Sequence, residues 1–126
     1  MILCDTNILI EFYKNNGQVV EELRRIGKKR LAVSAITQAE LYFGAINKIE
    51  LKKIRQHLFL LHHIPLDIPI STLFLQLMET YSLSHKLSLP DALIAATALS
   101  HDAELYTLNI KDFRFISELK LYIPAR

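Results

Sequence analysis

The sequence predicts an α/β fold of three layers, with a central parallel sheet flanked by helices. Short apolar segments alternate with helical patterns along the chain, which is typical of parallel sheets with helical connections. The first segment, Met1 to Cys4, is apolar on both faces, which favours a central strand of such a sheet. With 126 residues, of which 51% are hydrophobic, we expect one domain covering residues 1–126.

Apolar spacing and cap residues predict the remaining elements in chain order. A short helix follows Asn7, and an amphipathic helix runs from Gly17 to its stop at Gly27. Thr37 and Glu40 have capping-box spacing, which predicts a helix beginning there. The other predicted elements are a strand over 31–33, a helix over 50–61, a brief extended piece over 64–66, a long helix over 71–85, and two last strands over 104–107 and 119–123.

One helix, over 88–99, is uncharged from Ala92 onward and rich in alanine, as in helices packed on nearly all sides. Ser88 suits its N-cap and Pro90 its first turn. Asp91 then stands at the start of a buried helix. Two interpretations of Asp91 stay open, a capping-box acid or an acid of a functional site.

Composition and charge exclude several classes of protein. No apolar run reaches the ~18 residues of a membrane span, and the first residues lack signal-peptide character, so we expect a cytoplasmic protein. The single cysteine, Cys4, excludes an internal disulfide. The net charge is only +2, but basic residues cluster over 24–30 and 48–55. These clusters are either solvated helix faces or a surface for nucleic acid.

Three acids lie in or just beyond loops that follow predicted strands, and a fourth lies at the start of the buried helix. The three are Asp5, Glu40 and Asp112, and the fourth is Asp91. Each has an ordinary structural explanation as a cap or loop residue, but parallel sheets gather such positions at one edge. Two carboxylates ~5 Å apart repel by roughly 3 kcal/mol at an effective dielectric of 20, so a cluster favours a cation. Oxygen ligands alone favour Mg²⁺ or Mn²⁺, and no histidine pair has zinc-site spacing.

Four segments together resemble the PIN-domain ribonucleases, and the small size is similar to the VapC toxins of toxin–antitoxin pairs. The segments are Asp5-Thr-Asn7, Thr37-Gln-Ala-Glu-Leu-Tyr-Phe-Gly-Ala45, Leu89-Pro-Asp-Ala-Leu-Ile-Ala-Ala-Thr-Ala98 and Thr107-Leu-Asn-Ile-Lys-Asp-Phe113. The resemblance implies metal-dependent cleavage of RNA by one or two Mg²⁺ or Mn²⁺ ions, a homodimer, and a small antitoxin partner.

The resemblance also implies roles for individual residues. Asp5, Glu40 and Asp91 would be the metal-binding acids, with Asp112 as a fourth, outer catalytic acid. The supporting residues are Thr6, whose hydroxyl would hold Asp5, together with Thr107 and Asn109. The sequence departs from some relatives at Asn109, where they carry an acid, and at Leu108, where many are basic. The fourth ligand is therefore Asp112, Asn109 or neither, and the candidate phosphate contacts are Lys86, Lys111 and Arg114.

Two further functions stay open: a non-catalytic PIN-fold module that binds protein or RNA, and a solitary PIN ribonuclease in RNA processing. A phosphoryl-accepting receiver domain also gathers acids at strand ends, but its acids would lie at other strands. The sequence indicates no nucleophilic Ser or Cys with a paired histidine, so we do not expect covalent catalysis.

Overall fold

The computed structural model describes residues 1–124 and has the predicted three-layer α/β architecture. Its strands are β1 (Ile2–Cys4), β2 (Leu31–Ser34), β3 (His62–Ile64) and β4 (Glu104–Tyr106). They form one parallel sheet in the order β3-β2-β1-β4. The apolar first strand is therefore interior, because β1 pairs with β2 on one side and with β4 on the other.

Six α-helices surround the sheet within residues 1–124: α1 (Thr6–Tyr13), α2 (Gly17–Ile26), α3 (Ala35–Phe43), α4 (Lys48–Leu58), α5 (Ile68–His85) and α6 (Leu89–Ser100). None of these helices combines the length and hydropathy that a bilayer span requires.

Side chains of β1 alternate between two hydrophobic clusters on opposite faces of the sheet. Leu3 belongs to the cluster that contains residues of α5 and α6. Ile2 and Cys4 belong to the cluster that contains residues of α1, α2 and α4. This alternation follows from the period of two along a strand, and it makes the sheet the middle of three layers.

Helix α6 is buried as its composition predicts. Ser88 is its N-cap, and the Ser88 hydroxyl oxygen accepts a hydrogen bond from the backbone N–H of Asp91 at 3.2 Å. Among the helix pairs within residues 1–124, α5 and α6 pack against each other most extensively. The apolar side chains of the long helix are therefore packed largely inside the chain, although Leu75 and Leu83 remain 61% and 94% exposed.

The predicted start of α3 is wrong. The helix begins at Ala35, and its N-cap is Ser34, whose hydroxyl accepts from the backbone N–H of Thr37 at 3.1 Å. The last residue of β2 thus starts the next helix without a loop. Glu40 consequently lies within the helix, where its carboxylate is free to contact another element.

Three other predictions at element ends need correction. The segment predicted as a last strand over 119–123 forms only one bridge, between Leu121 and Leu105 of β4. Of the extended piece predicted over 64–66, only Ile64 belongs to a strand, β3, which begins at His62 because β2 offers it a parallel edge. The long helix starts earlier than predicted, since Asp67 caps α5 by accepting from Ile70 N–H at 3.0 Å.

Candidate active site

The candidate site lies at the carboxyl edge of the sheet. Asp5 directly follows β1, Thr107 directly follows β4, and Ser34 at the end of β2 leads into α3 and Glu40. Because β2, β1 and β4 are parallel neighbours, all three strands end at the same edge. Ligands of open parallel sheets bind at this edge, as the sequence-based interpretation assumes.

Asp5 is the most buried of the four acids, with 5% of its surface exposed. Its Oδ1 accepts from the backbone N–H of Thr6 at 2.7 Å, and its Oδ2 accepts from the Thr107 hydroxyl at 2.7 Å. Burial raises the pKa of Asp5, and the charges of Glu40 and Asp112 raise it further, while the two hydrogen bonds oppose that shift. The carboxylate is thus fixed between β1 and β4 and destabilised in its ionised form.

The expected role of the Thr6 hydroxyl is wrong. Thr6 holds Asp5 through its backbone N–H, while its Oγ1 lies 2.6 Å from Glu40 Oε1 and 3.1 Å from Thr37 Oγ1. A hydroxyl donates one proton, and a carboxylate accepts only, so Thr6 donates to Glu40 and accepts from Thr37. The physical reason is helix geometry: the backbone N–H at the start of α1 already faces its cap, Asp5, and the side chain points across to α3.

Asp91 occupies the first turn of α6 and is half-buried. Burial raises the pKa of Asp91 to about 6, and the charge of Asp5 is the next largest cause. The charges of Asp112 and Glu40 act in the same direction, while a hydrogen bond with Ser88 opposes them. The four acids predicted from the sequence therefore lie close enough to repel one another.

Asp112 and Asn109 differ in how they relate to this cluster. Asp112 is half-buried in a short 3-10 turn, and its charge raises the pKa of both Asp5 and Asp91. Asn109 is exposed and takes part through its backbone N–H, which donates to the Thr107 hydroxyl oxygen at 3.0 Å. Of these two candidates for the fourth ligand, Asp112 is the one whose charge raises the pKa of other acids of the site.

Two polar residues of the site received no role from sequence reasoning. The Asn7 carboxamide donates to Asp5 Oδ2 at 3.3 Å and accepts from Leu108 N–H at 3.2 Å, which links the loops after β1 and β4. Thr37 is fully buried beneath the bond between Thr6 and Glu40. Asn7 directly follows Asp5 and Thr6 in the sequence, and that polar run after a strand was the available signal.

The acids fit a divalent cation by their chemistry. They are oxygen donors whose charges raise the pKa of Asp5 and Asp91, and none forms an ion pair with Lys, Arg or His within residues 1–124. In that same part of the chain, no three Asp, Glu, His or Cys side chains already form a cage that could hold a metal. The donor set is therefore gathered at one edge but is not a preassembled cage.

The candidate phosphate contacts lie outside this acidic cluster. Lys86, Lys111 and Arg114 are all exposed, and none takes part in an ion pair within residues 1–124. Lys86 lies between α5 and α6, before Asp91, whereas Lys111 and Arg114 lie on either side of Asp112. Cations thus border the acids on two segments, which is a suitable arrangement for a polyanionic ligand.

Comparisons with known proteins agree on one family. The chain matches the PIN domain family over residues 2–118. It is 31% identical over 125 residues to Ribonuclease VapC1 of Haemophilus influenzae, covering 94% of this chain and 93% of that relative. It is 32% identical over 124 residues to Ribonuclease VapC10 of Mycobacterium tuberculosis, covering 95% of this chain and 91% of that relative.

A solved structure supports the same assignment. One chain of a toxin-antitoxin complex from Klebsiella pneumoniae is similar with a TM-score of 0.81 and 34% identity, covering 94% of this chain and 95% of that chain. The family resemblance seen in the four sequence segments is thereby confirmed. With a match that spans nearly its whole length and relatives named ribonuclease VapC, this chain belongs to the PIN domain family.

Proposed function

We propose that this chain is a metal-dependent endoribonuclease and the toxin of a VapBC-type toxin–antitoxin pair. The observation that carries the proposal is the convergence of Asp5, Glu40, Asp91 and Asp112 at one edge of a PIN-domain sheet. The relatives named ribonuclease VapC support RNA as substrate, and the Klebsiella pneumoniae complex supports an antitoxin partner.

Asp5, Glu40 and Asp91 would hold Mg²⁺ or Mn²⁺, with Asp112 at the outer side of the site. When bound, such a cation supplies positive charge that activates water and stabilises the charge developing on the scissile phosphate. Hard carboxylate oxygens suit these two ions better than they suit metals that prefer nitrogen or sulfur ligands.

The chain's own residues would prepare the site by fixing two of its acids. The Thr107 hydroxyl and the Thr6 backbone N–H occupy one position on each oxygen of Asp5, which orients that carboxylate. The Thr6 hydroxyl orients Glu40 in the same way. Asp5 Oδ1 and Glu40 Oε1 each accept one of these hydrogen bonds and would retain a lone pair for a cation, since an oxygen of this type accepts about two bonds. Asp5 Oδ2 accepts from both the Thr107 hydroxyl and the Asn7 carboxamide.

The phosphate backbone of RNA would bind to exposed cations beside the acids. Lys86, Lys111 and Arg114 are available for this role because none is engaged in an ion pair within residues 1–124. Such contacts bind and position a strand without reading its sequence. Leu108 is 48% exposed at the position where many relatives are basic, so these three side chains would replace that contact.

We also propose that the chain forms a homodimer. Large apolar side chains remain exposed on α5, at the end of α3 and between α3 and α4, including Leu83 at 94%, Phe43 at 93% and Ile46 at 81%. Surfaces of this kind are typical of interfaces. A sedimentation mass equal to one chain would contradict the dimer.

The test of the proposed function is cleavage of a structured RNA by purified protein in Mg²⁺, in Mn²⁺ and in excess chelator. We expect cutting only with metal, and we expect Asp5→Asn to abolish it because the ligand loses its charge. Asp67→Asn is the matched control, since Asp67 caps α5 and is not among the charges that raise the pKa of Asp5 or Asp91, so cleavage should be unchanged.

Equal cleavage in chelator would refute the metal-dependent mechanism. RNA binding without cleavage under all metal conditions would favour the non-catalytic module instead. Cleavage by a chain that binds no antitoxin would favour a solitary ribonuclease of the same family.

A further inference from the structure

Three aromatic rings form a cluster where the end of α5 meets the segment after Asp112. His85 and Phe115 are stacked, with ring centroids 4.1 Å apart and planes inclined by 10°. Tyr81 meets them at steep angles, 5.6 Å from His85 and 5.1 Å from Phe115. Phe115 and Tyr81 pack on the hydrophobic core, whereas His85 is exposed, so His85 forms the outer layer of the stack.

The outer ring is held in place by its surroundings. Ser84 Oγ lies 2.7 Å from His85 Nδ1, which restrains rotation of the imidazole. Within residues 1–124, Phe115 and Tyr81 are the only rings in contact with His85. The cluster therefore presents a flat aromatic surface whose orientation is fixed before any ligand arrives, and this reduces the entropy cost of binding.

The residues of this aromatic surface adjoin, along the chain, two of the candidate phosphate contacts and one acid of the candidate active site. Lys86 directly follows His85, and Arg114 directly precedes Phe115. Phe115 is three residues from Asp112, so the chain between them spans at most about 11 Å. A nucleic-acid strand rises about 3.4 Å per stacked nucleotide, so Phe115 lies within about three nucleotides of Asp112, the outer acid.

We propose that His85 is the stacking platform for an unpaired base of the RNA substrate. The inference rests on the proposed function and deepens it by assigning one residue to the binding of a base. An aromatic face accepts any base, and neighbouring cations bind the phosphates of the same strand, which is how single-stranded nucleic acid is bound without sequence readout. A base inside a duplex is already stacked on both faces and cannot occupy the platform.

The experiment measures binding of a fluorescent single-stranded oligoadenylate by anisotropy in excess chelator. We expect His85→Ala to weaken binding about 5- to 150-fold, the loss expected for one base stack. His85→Tyr keeps an aromatic face and should bind as tightly as wild type. His101→Ala is the matched control, because His101 is an exposed histidine at the opposite end of α6.

A second measurement reports stacking directly. The chain contains no tryptophan, so His85→Trp introduces a single indole at the platform. We expect oligoadenylate to quench its fluorescence, and ribose 5-phosphate, which lacks a base, to leave it unchanged. An RNA duplex of the same length should bind wild type and His85→Ala equally.

The platform would be refuted if wild type did not bind oligoadenylate, or if His85→Ala bound it as tightly as wild type. It would also be refuted if His85→Ala lost equal affinity for single strand and duplex, or if His85→Tyr lost as much affinity as His85→Ala. An indole at position 85 that oligoadenylate does not quench would have the same meaning. Different results would contradict the proposed function. A chain that binds single strands through His85 but cuts no RNA with metal contradicts only the nuclease. A chain that cuts RNA with Mn²⁺ while His85→Ala binds as wild type contradicts only the platform.

Discussion

The substitution Asp91→Asn should stabilise the metal-free protein. Asp91 lies in the first turn of α6, but the N-cap of that helix is Ser88, so the helix keeps its cap when the Asp91 charge is removed. The ionised carboxylate is disfavoured by burial and by the charges of Asp5, Asp112 and Glu40. Asparagine has nearly the same shape and carries no charge, so the substitution relieves the repulsion without leaving a cavity.

The size of the effect follows from the pKa of Asp91. A rise from the ordinary value of 3.8 to about 6 corresponds to about 3 kcal/mol once the group is ionised. Because the side chain is half exposed, we discount this to ~1.5 kcal/mol for solvent screening. Loss of a negative charge at a helix N-terminus costs ~0.3–1 kcal/mol, which leaves a net gain of ~0.5–1 kcal/mol. For a chain of this size, that gain raises the melting temperature by ~2–5 °C.

The assay is thermal melting of wild type and Asp91→Asn at pH 7.5, in chelator and in Mn²⁺. At 100 times its dissociation constant, a bound cation should stabilise wild type by ~2.7 kcal/mol, and the variant should gain less because it has lost a ligand. Asp67→Asn is the control, because it removes a charge from the N-terminus of α5 outside the acidic cluster. It should melt no higher than wild type in chelator and should respond to Mn²⁺ as wild type does.

One pair of results would refute this reasoning: a variant that melts below wild type in chelator, together with a wild type whose melting ignores Mn²⁺. Asp91 would then be only a first-turn acid of α6, the other interpretation that the sequence leaves open.

Two predictions concern the same acids. The free-energy gain of Asp91→Asn should grow as pH rises from ~4 to ~7. A carboxyl with a raised folded-state pKa stabilises the fold below its unfolded pKa and loses that contribution as pH passes about 6. Denaturant titrations in chelator measure the gain, and a gain that is constant with pH would contradict the prediction. Thr107→Val should lower the free energy of unfolding at pH 7.5 by ~1.5–3 kcal/mol, since Asp5 loses a buried hydrogen-bond donor. Thr80 is exposed, so the control Thr80→Val should change the free energy of unfolding by less than ~0.5 kcal/mol.

The sequence by itself determined the family and the fold class, and it predicted the convergence of the four acids. Each depends on local patterns: an apolar first strand, a serine and a proline at the start of α6, and acids placed after strands. Parallel strands end at one edge whatever the details of packing, so acids at those positions had to lie together. The buried character of α6 followed from its composition alone, because an uncharged, alanine-rich helix has no face suited to water.

Only the tertiary structure decided which polar group contacts which acid. The Thr6 hydroxyl binds Glu40, 34 residues away, and the Thr107 hydroxyl binds Asp5, 102 residues away. Such pairings depend on distances of a few tenths of an ångström between separate elements, and a sequence pattern fixes no such distance. The same limit explains β3 and the bridge at Leu121, because whether an extended segment joins a sheet depends on the free edge that a neighbouring strand offers.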